Sequence, residues 1–299
     1  MNESIDAKAR LAPPALLLAV ASISFAAIFF RLAMPTHPLV AAGIRLAVAA
    51  VVLLPLAVRS AARRRPTRKL LLAAVLAGLL YGIHFGAWVT SLTLTSIAAS
   101  VTLVTTTPLL LAALGALTGR DRPDRRLWLL LALAFCGLVL IGGVDLRFGP
   151  ARLAGDGLAL AGAGAMAAYL LVGRWLGEQM DLWVFSGIAC AVGSAVLLGA
   201  AAGCGIPIRA ASTEALAYLV LAALVPQLIG HNLLTWSLRH TKPMVVGMAV
   251  IGEPVGATAL GWLWLGEAVA PLVAAGCLLT LAAVVLSIAS SRTARPVEG

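Results

Sequence analysis

The chain has 299 residues, of which 61% are hydrophobic and 11% charged, with a mean hydropathy of +1.01. Soluble proteins carry about 25% charged residues, so globular, disordered and collagen-like classes are excluded. The formal charge of +10 would suit phosphate binding, but the basic residues stand in short clusters between long apolar runs, and nucleic acid is excluded as a partner.

A helix needs roughly 20 apolar residues to cross a hydrocarbon core of about 30 Å. Ten such stretches are predicted, at about 13–34, 38–59, 69–92, 96–118, 126–144, 154–175, 182–204, 213–236, 242–264 and 269–291. The first follows Lys8 and Arg10 and lacks a small-residue cleavage pattern, so it reads as an uncleaved helix. Turn and charge signals separate the others, among them Met34-Pro35-Thr36-His37-Pro38, Arg63-Arg64-Arg65-Pro66 and Arg122-Pro123-Asp124. Arg147-Phe148-Gly149-Pro150 and Thr241-Lys242-Pro243 are two more. Ser91–Ser96 and Gly266-Glu267 are weaker breaks, which leaves nine spans open as an alternative. The runs are continuous rather than alternating, which excludes a β-barrel. The expected class is an all-α integral membrane protein.

The basic residues set the orientation. Of 22, 17 fall in the termini or in connections after even-numbered spans, and only Arg31, Arg147, Arg152 and Arg209 fall opposite, with Arg45 inside a span. Both termini are therefore expected in the cytoplasm; the expected location is a bacterial-type inner (plasma) membrane. Cys136, Cys190, Cys204 and Cys277 show no paired spacing, so neither a metal site nor a disulfide framework is predicted.

The halves resemble each other. At an offset of 146, Ser91, Leu92, Thr95, Val104 and Pro108 fall on Ser237, Leu238, Thr241, Val250 and Pro254; at 143, Phe30-Arg31 falls on Gly173-Arg174. The expected units are a first five-helix repeat at 13–144 and a second at 154–291. An odd number of spans per repeat inserts the second half upside down. Such inverted repeats mark secondary transporters, with the solute site near the midplane.

Pro38…Arg45-Leu46-Ala47 in span 2 and Glu253-Pro254…Leu265-Gly266-Glu267 in span 9 resemble the EamA family of the drug/metabolite transporter superfamily. The first repeat departs from the pattern, with Thr107-Pro108 where Glu-Pro would stand and Gly119-Arg120 where Gly-Glu would. The resemblance implies export of small metabolites, amino acids foremost in bacteria. Tyr81, His84 and Trp88 make the chain look most like the aromatic amino-acid exporter branch.

Ionisable groups inside spans cost roughly 2.5–3.5 kcal/mol on insertion scales, which makes them functional candidates by default. Glu253 is the only carboxylate deep in a span, and Pro254 beside it is expected to free a backbone carbonyl near Val250. It could hold a substrate ammonium or a proton; the alternatives are a protonated side chain capping the freed backbone, or pairing with an arginine. Arg45, roughly 10 Å into span 2 at 1.5 Å per residue, is expected to snorkel or anchor an ion pair; a carboxylate clamp is the alternative. Tyr81, His84 and Trp88 share a helix face that suits an aromatic solute, with helix packing as the alternative. Gln227, His231, Asn232, Thr235 and Trp236 cluster on span 8, and the offset sends His231 to Phe85, next to His84.

Thr102, Thr105, Thr106 and Thr107 are expected to bond locally to carbonyls one turn back. Gly162, Ala163, Gly164 and Ala165 permit close helix contact in span 6, where Tyr169 could line the cavity and Trp175 favours the interface. The Gly-x-x-x-Gly matches there are weak signals, compatible with a monomer or weak dimer. No nucleotide-binding or catalytic motif occurs, so no cofactor and no enzymatic activity are expected. The first expectation is an amino-acid exporter working by alternating access, its site lined by Tyr81, His84, Trp88, Gln227, His231, Asn232 and Glu253. A proton-coupled metabolite exporter, a lipid flippase or intramembrane enzyme, and a channel are its rivals.

Overall fold

The computed structural model describes residues 2–95, 97–118, 124–142, 149–241, 243–266 and 268–291, and every regular element among them is helical. The helices group into ten rods. They are α1 (Asn2–Ile23, resuming as Phe25–Leu32), α2 (Pro38–Arg63), α3 (Arg68–Leu94), α4 (Ile97–Val104, then Thr107–Thr118) and α5 (Arg125–Gly142). The second half gives α6 (Pro150–Leu176), α7 (Leu182–Gly203), α8 (Thr213–His240), α9 (Pro243–Val250, then Glu253–Leu265) and α10 (Pro271–Ser291). Among the described residues, seven helices are long and apolar enough to cross a membrane. In α4 and α10 the apolar stretches, Ala99–Ala113 and Pro271–Ser287, are shorter.

Polar residues at the helix starts set the boundaries. Pro38 opens α2 while the His37 ring accepts from the Leu39 amide at 3.3 Å. Thr67, Asp181 and Ser212 cap α3, α7 and α8 by accepting from Leu70, Trp183 and Ala215 amides. The weak break predicted near Ser91–Ser96 is real, since α3 ends at a Thr95 cap with extended backbone.

Interior breaks are a second theme. α1 is interrupted at Ser24, α4 at Thr105-Thr106 and α9 at Ile251-Gly252, while α8 runs as a π-helix over Ala223–His231. Pro226 lies in that wide turn, where its missing N–H is tolerated more easily than in a tight α-turn. Pro254 does not free a carbonyl within a continuous helix, as the sequence suggested; it sits in the first turn of a new one, where it needs no hydrogen-bond donor.

The outer surface is apolar. Leu72, Leu76, Leu79 and Ile83 are exposed along α3, and Val51, Leu54 and Val58 along α2. A surface of this kind suits hydrocarbon rather than water.

Packing follows a two-fold pattern. α2 packs on α7 and α5 on α10, each against its own equivalent in the other half; α3 packs on α6 as α8 packs on α1. Exchanging the halves maps these contacts onto themselves. Glycine permits the closest crossings. A Cβ at Gly82 would stand 3.2 Å from the Gly193 backbone, and one at Gly276 only 2.7 Å from the Gly137 carbonyl oxygen. Ser194 on α7 donates to the Gly43 carbonyl on α2 at 3.0 Å.

Candidate functional site

The repeats meet where equivalent residues touch. Gln227 Nε2 donates to the Tyr81 hydroxyl at 2.8 Å, and the His231 and Phe85 ring centroids lie 5.4 Å apart. Both pairs are separated by the 146 residues of the repeat offset, so they mark the axis that relates the halves. Gln227 and His231 reach it from the π segment of α8. Interhelical hydrogen bonds in membranes average about 0.6 kcal/mol. Tyr81→Phe and Gln227→Leu are therefore expected to be non-additive by about 0.5–1 kcal/mol in a double-mutant cycle on detergent-solubilised protein. Additive losses would place the two residues out of contact.

Beside this axis lies a cavity of about 50 Å³, with walls from both halves. His84, Phe85 and Trp88 come from α3, Tyr169 from α6, His231 and Thr235 from α8, and Glu253 from α9. The volume admits a few waters and no larger solute. The His84 ring is fixed by its Nδ1, 2.9 Å from the Gly162 carbonyl; Nδ1–H donates, which leaves Nε2 as an acceptor. Gly162 makes this approach possible, because a Cβ there would already stand 3.3 Å from the His84 carbonyl oxygen. Tyr81 stacks on Tyr169 at 4.3 Å, and His84 on Trp88 at 6.3 Å.

Of the seven residues the sequence singles out, His84, Trp88, His231 and Glu253 line this cavity. Tyr81, Gln227 and Asn232 are buried outside its wall, with Tyr81 and Gln227 bonded to each other. Sequence reasoning missed Phe85, Met166 and Val246 on the wall, since nothing in one dimension distinguishes them from lipid-facing apolar residues. Tyr169 was flagged and does line the cavity, its hydroxyl 3.4 Å from Thr235 Oγ1. Three of the threonines bond locally as expected, Thr105 donating to Val101, Thr106 to Leu103 and Thr107 to Val104 at 2.8, 2.7 and 3.0 Å, whereas Thr102 donates across to the Leu138 carbonyl on α5 at 3.4 Å. The snorkelling expected of Arg45 is overturned. It is 0% exposed, because α2 is covered at this depth by α7 and the Phe85 ring.

The two ends of the bundle differ. At one, Arg239 Nη1 donates to the Met180 carbonyl at 2.7 Å, Arg174 Nη1 to Thr241 at 3.1 Å and Arg64 Nη1 to Glu178 at 3.1 Å. At the other, a vestibule of about 400 Å³ is lined by Phe30, Arg31, Thr36, Val89, Thr93 and Thr95. Arg31 and Thr95 are the repeat equivalents of Arg174 and Thr241. The bond that closes one end thus has its counterpart positions on the wall of an open space at the other. Phe30 and Trp88, in edge contact at 5.8 Å, separate vestibule from cavity. Among the described residues no three His, Cys, Asp or Glu side chains are placed to hold a metal.

An all-helical, apolar-coated bundle of two like halves, around a largely apolar cavity that holds a few polar groups, is the architecture of a membrane transporter. The profile of the EamA-like transporter family matches residues 11–143 and again 153–289, and the chain belongs to that family. A solved crystal structure superposes with a TM-score of 0.76 over 94% of this chain and 97% of that one, at 18% identity, which shows the fold alone. No curated protein matches the chain.

Proposed function

We propose that this transporter exports small amphipathic metabolites, amino acids with aromatic or apolar side chains foremost, across a bacterial-type inner membrane. It crosses the bilayer ten times as two inverted five-helix repeats, with both termini in the cytoplasm. The side rich in arginine, including Arg64, Arg174 and Arg239, is then cytoplasmic, and the vestibule opens outward. The aromatic walls around His84 and Trp88 receive the solute body, and Glu253 its ammonium. Transport proceeds by rocking of one half against the other, as inverted repeats allow.

The observation that carries this proposal is the convergence of His84, Trp88, His231 and Glu253, from both halves, on one cavity at the repeat axis. Counterflow of labelled L-phenylalanine into proteoliposomes tests it. His84→Ala and Trp88→Ala are expected to lower the rate about tenfold or more, since each removes roughly 1–3 kcal/mol of contact, with expression near that of the parent. Parental rates in both variants would reject the cavity as the solute site.

A further inference from the structure

Among the described residues, Arg45 is the buried charge that the fold leaves least compensated. It is completely buried, and none of its Nε, Nη1 and Nη2 atoms has a hydrogen-bond partner. Its guanidinium lies 4.4 Å from the Phe85 ring centroid and 5.5 Å from that of Phe30. Aromatic faces attract a cation but accept no hydrogen bond in the way an oxygen does, so they offset only part of the desolvation. Glu253 is within electrostatic reach, yet the two form no ion pair among the described residues.

The position of this unsatisfied cation is informative. Phe85 lines the central cavity and Phe30 lines the vestibule. Arg45 therefore stands directly behind the aromatic partition between the two spaces. Trp88 belongs to the same partition, and its Nε1 is likewise buried without a partner. Four donor nitrogens without hydrogen-bond partners gather at this partition.

We propose that Arg45 binds the carboxylate of the solute when the Phe30–Trp88 contact opens. The planar guanidinium presents a two-pronged donor set that matches a carboxylate, and the bond is strong where water is excluded. The inference rests on the exporter function proposed above and adds a requirement to it: the solute must carry a carboxylate as well as an apolar body. The fold then leaves the guanidinium unpartnered so that the solute completes it.

The test uses full-length protein and four probes: L-phenylalanine, L-phenylalaninamide, 3-phenylpropionate and 2-phenylethylamine. Binding is read as thermal stabilisation in detergent, and transport as inhibition of L-phenylalanine counterflow. The parent is expected to bind the two carboxylates at least about tenfold more tightly than the two compounds without one. Arg45→Gln is expected to erase that preference while leaving 2-phenylethylamine binding within about twofold of the parent. Arg45→Lys, which keeps the charge and loses the fork, is expected to fall between. Arg45→Met, lacking a buried unpaired charge, is expected to melt at or above the parent temperature. A preference unchanged in Arg45→Gln, or an Arg45→Met variant that melts lower and loses all four probes alike, would overturn the inference in favour of a structural arginine. If the parent binds 2-phenylethylamine without preferring carboxylates, the inference fails and the exporter site stands. If no probe binds or competes, the exporter proposal fails and takes the inference with it.

Discussion

Gly276→Leu is expected to abolish recovery of folded protein, whereas Gly199→Leu should leave yield and elution unchanged. A Cβ at Gly276 would stand 2.7 Å from the Gly137 carbonyl oxygen and 2.9 Å from Leu140 Cβ. The opposing glycine is equally confined, for a Cβ at Gly137 would meet the Gly276 carbonyl at 2.7 Å and the Thr280 backbone nitrogen at 2.8 Å. The obstacles are backbone atoms and a Cβ fixed to the backbone, so no rotamer change relieves them, and α5 and α10 must move apart. Overpacking commonly costs 1–3 kcal/mol. Splitting a backbone-to-backbone crossing should exceed about 3 kcal/mol, a large part of the total stability of a domain. At Gly199 nothing lies within 4 Å of the added carbon. Size-exclusion chromatography in detergent separates the outcomes, and a normal monodisperse peak for Gly276→Leu would disprove the α5–α10 crossing.

Arg174→Ala combined with Arg239→Ala is expected to open the end of the bundle that carries Glu178. Each guanidinium ties α6 or α8 to a loop carbonyl, at 3.1 Å to Thr241 and 2.7 Å to Met180. Hydrogen bonds from charged groups contribute about 1.5–3 kcal/mol each. The lower value applies to both, since Arg174 and Arg239 are each only partly buried. Losing both should shift the balance between closed and open forms by roughly 100-fold. A cysteine introduced at Gln179, in a background without the four native cysteines, should then react with a maleimide much faster than in the parent. Equal reaction rates would mean that these bonds do not hold the end closed.

The helical rods were largely legible in the sequence, because bilayer-length apolar runs bounded by Pro38, Arg63 or Pro150 leave little choice of element. Internal breaks were less so. The π segment of α8 depends on how Pro226 and Gly230 pack against α1, where a Cβ at Gly230 would stand 3.2 Å from the Ile23 nitrogen. That contact is tertiary and has no periodic signature. His84 and Trp88 could be picked out because polar and aromatic tips are rare in a span and share a face at helical spacing. The same spacing placed Tyr81 with them, yet Tyr81 turns out to be occupied by Gln227, a partner 146 residues away. Arg45 illustrates the limit most sharply. Depth along α2 suggested a side chain long enough to reach the surface, and only the arrangement of Phe30, Phe85 and α7 around it shows that it does not.

In the proposed transport cycle the two halves exchange roles about their shared axis, closing one end as the other opens. The most direct measurement compares maleimide reaction rates of Thr95→Cys and Thr241→Cys, equivalent positions at opposite ends, in proteoliposomes with and without L-phenylalanine. Opposite changes are predicted: as the solute slows the reaction at one position, it should speed the reaction at the other. Rates that rise together, fall together or stay fixed while L-phenylalanine is transported would contradict the exchange.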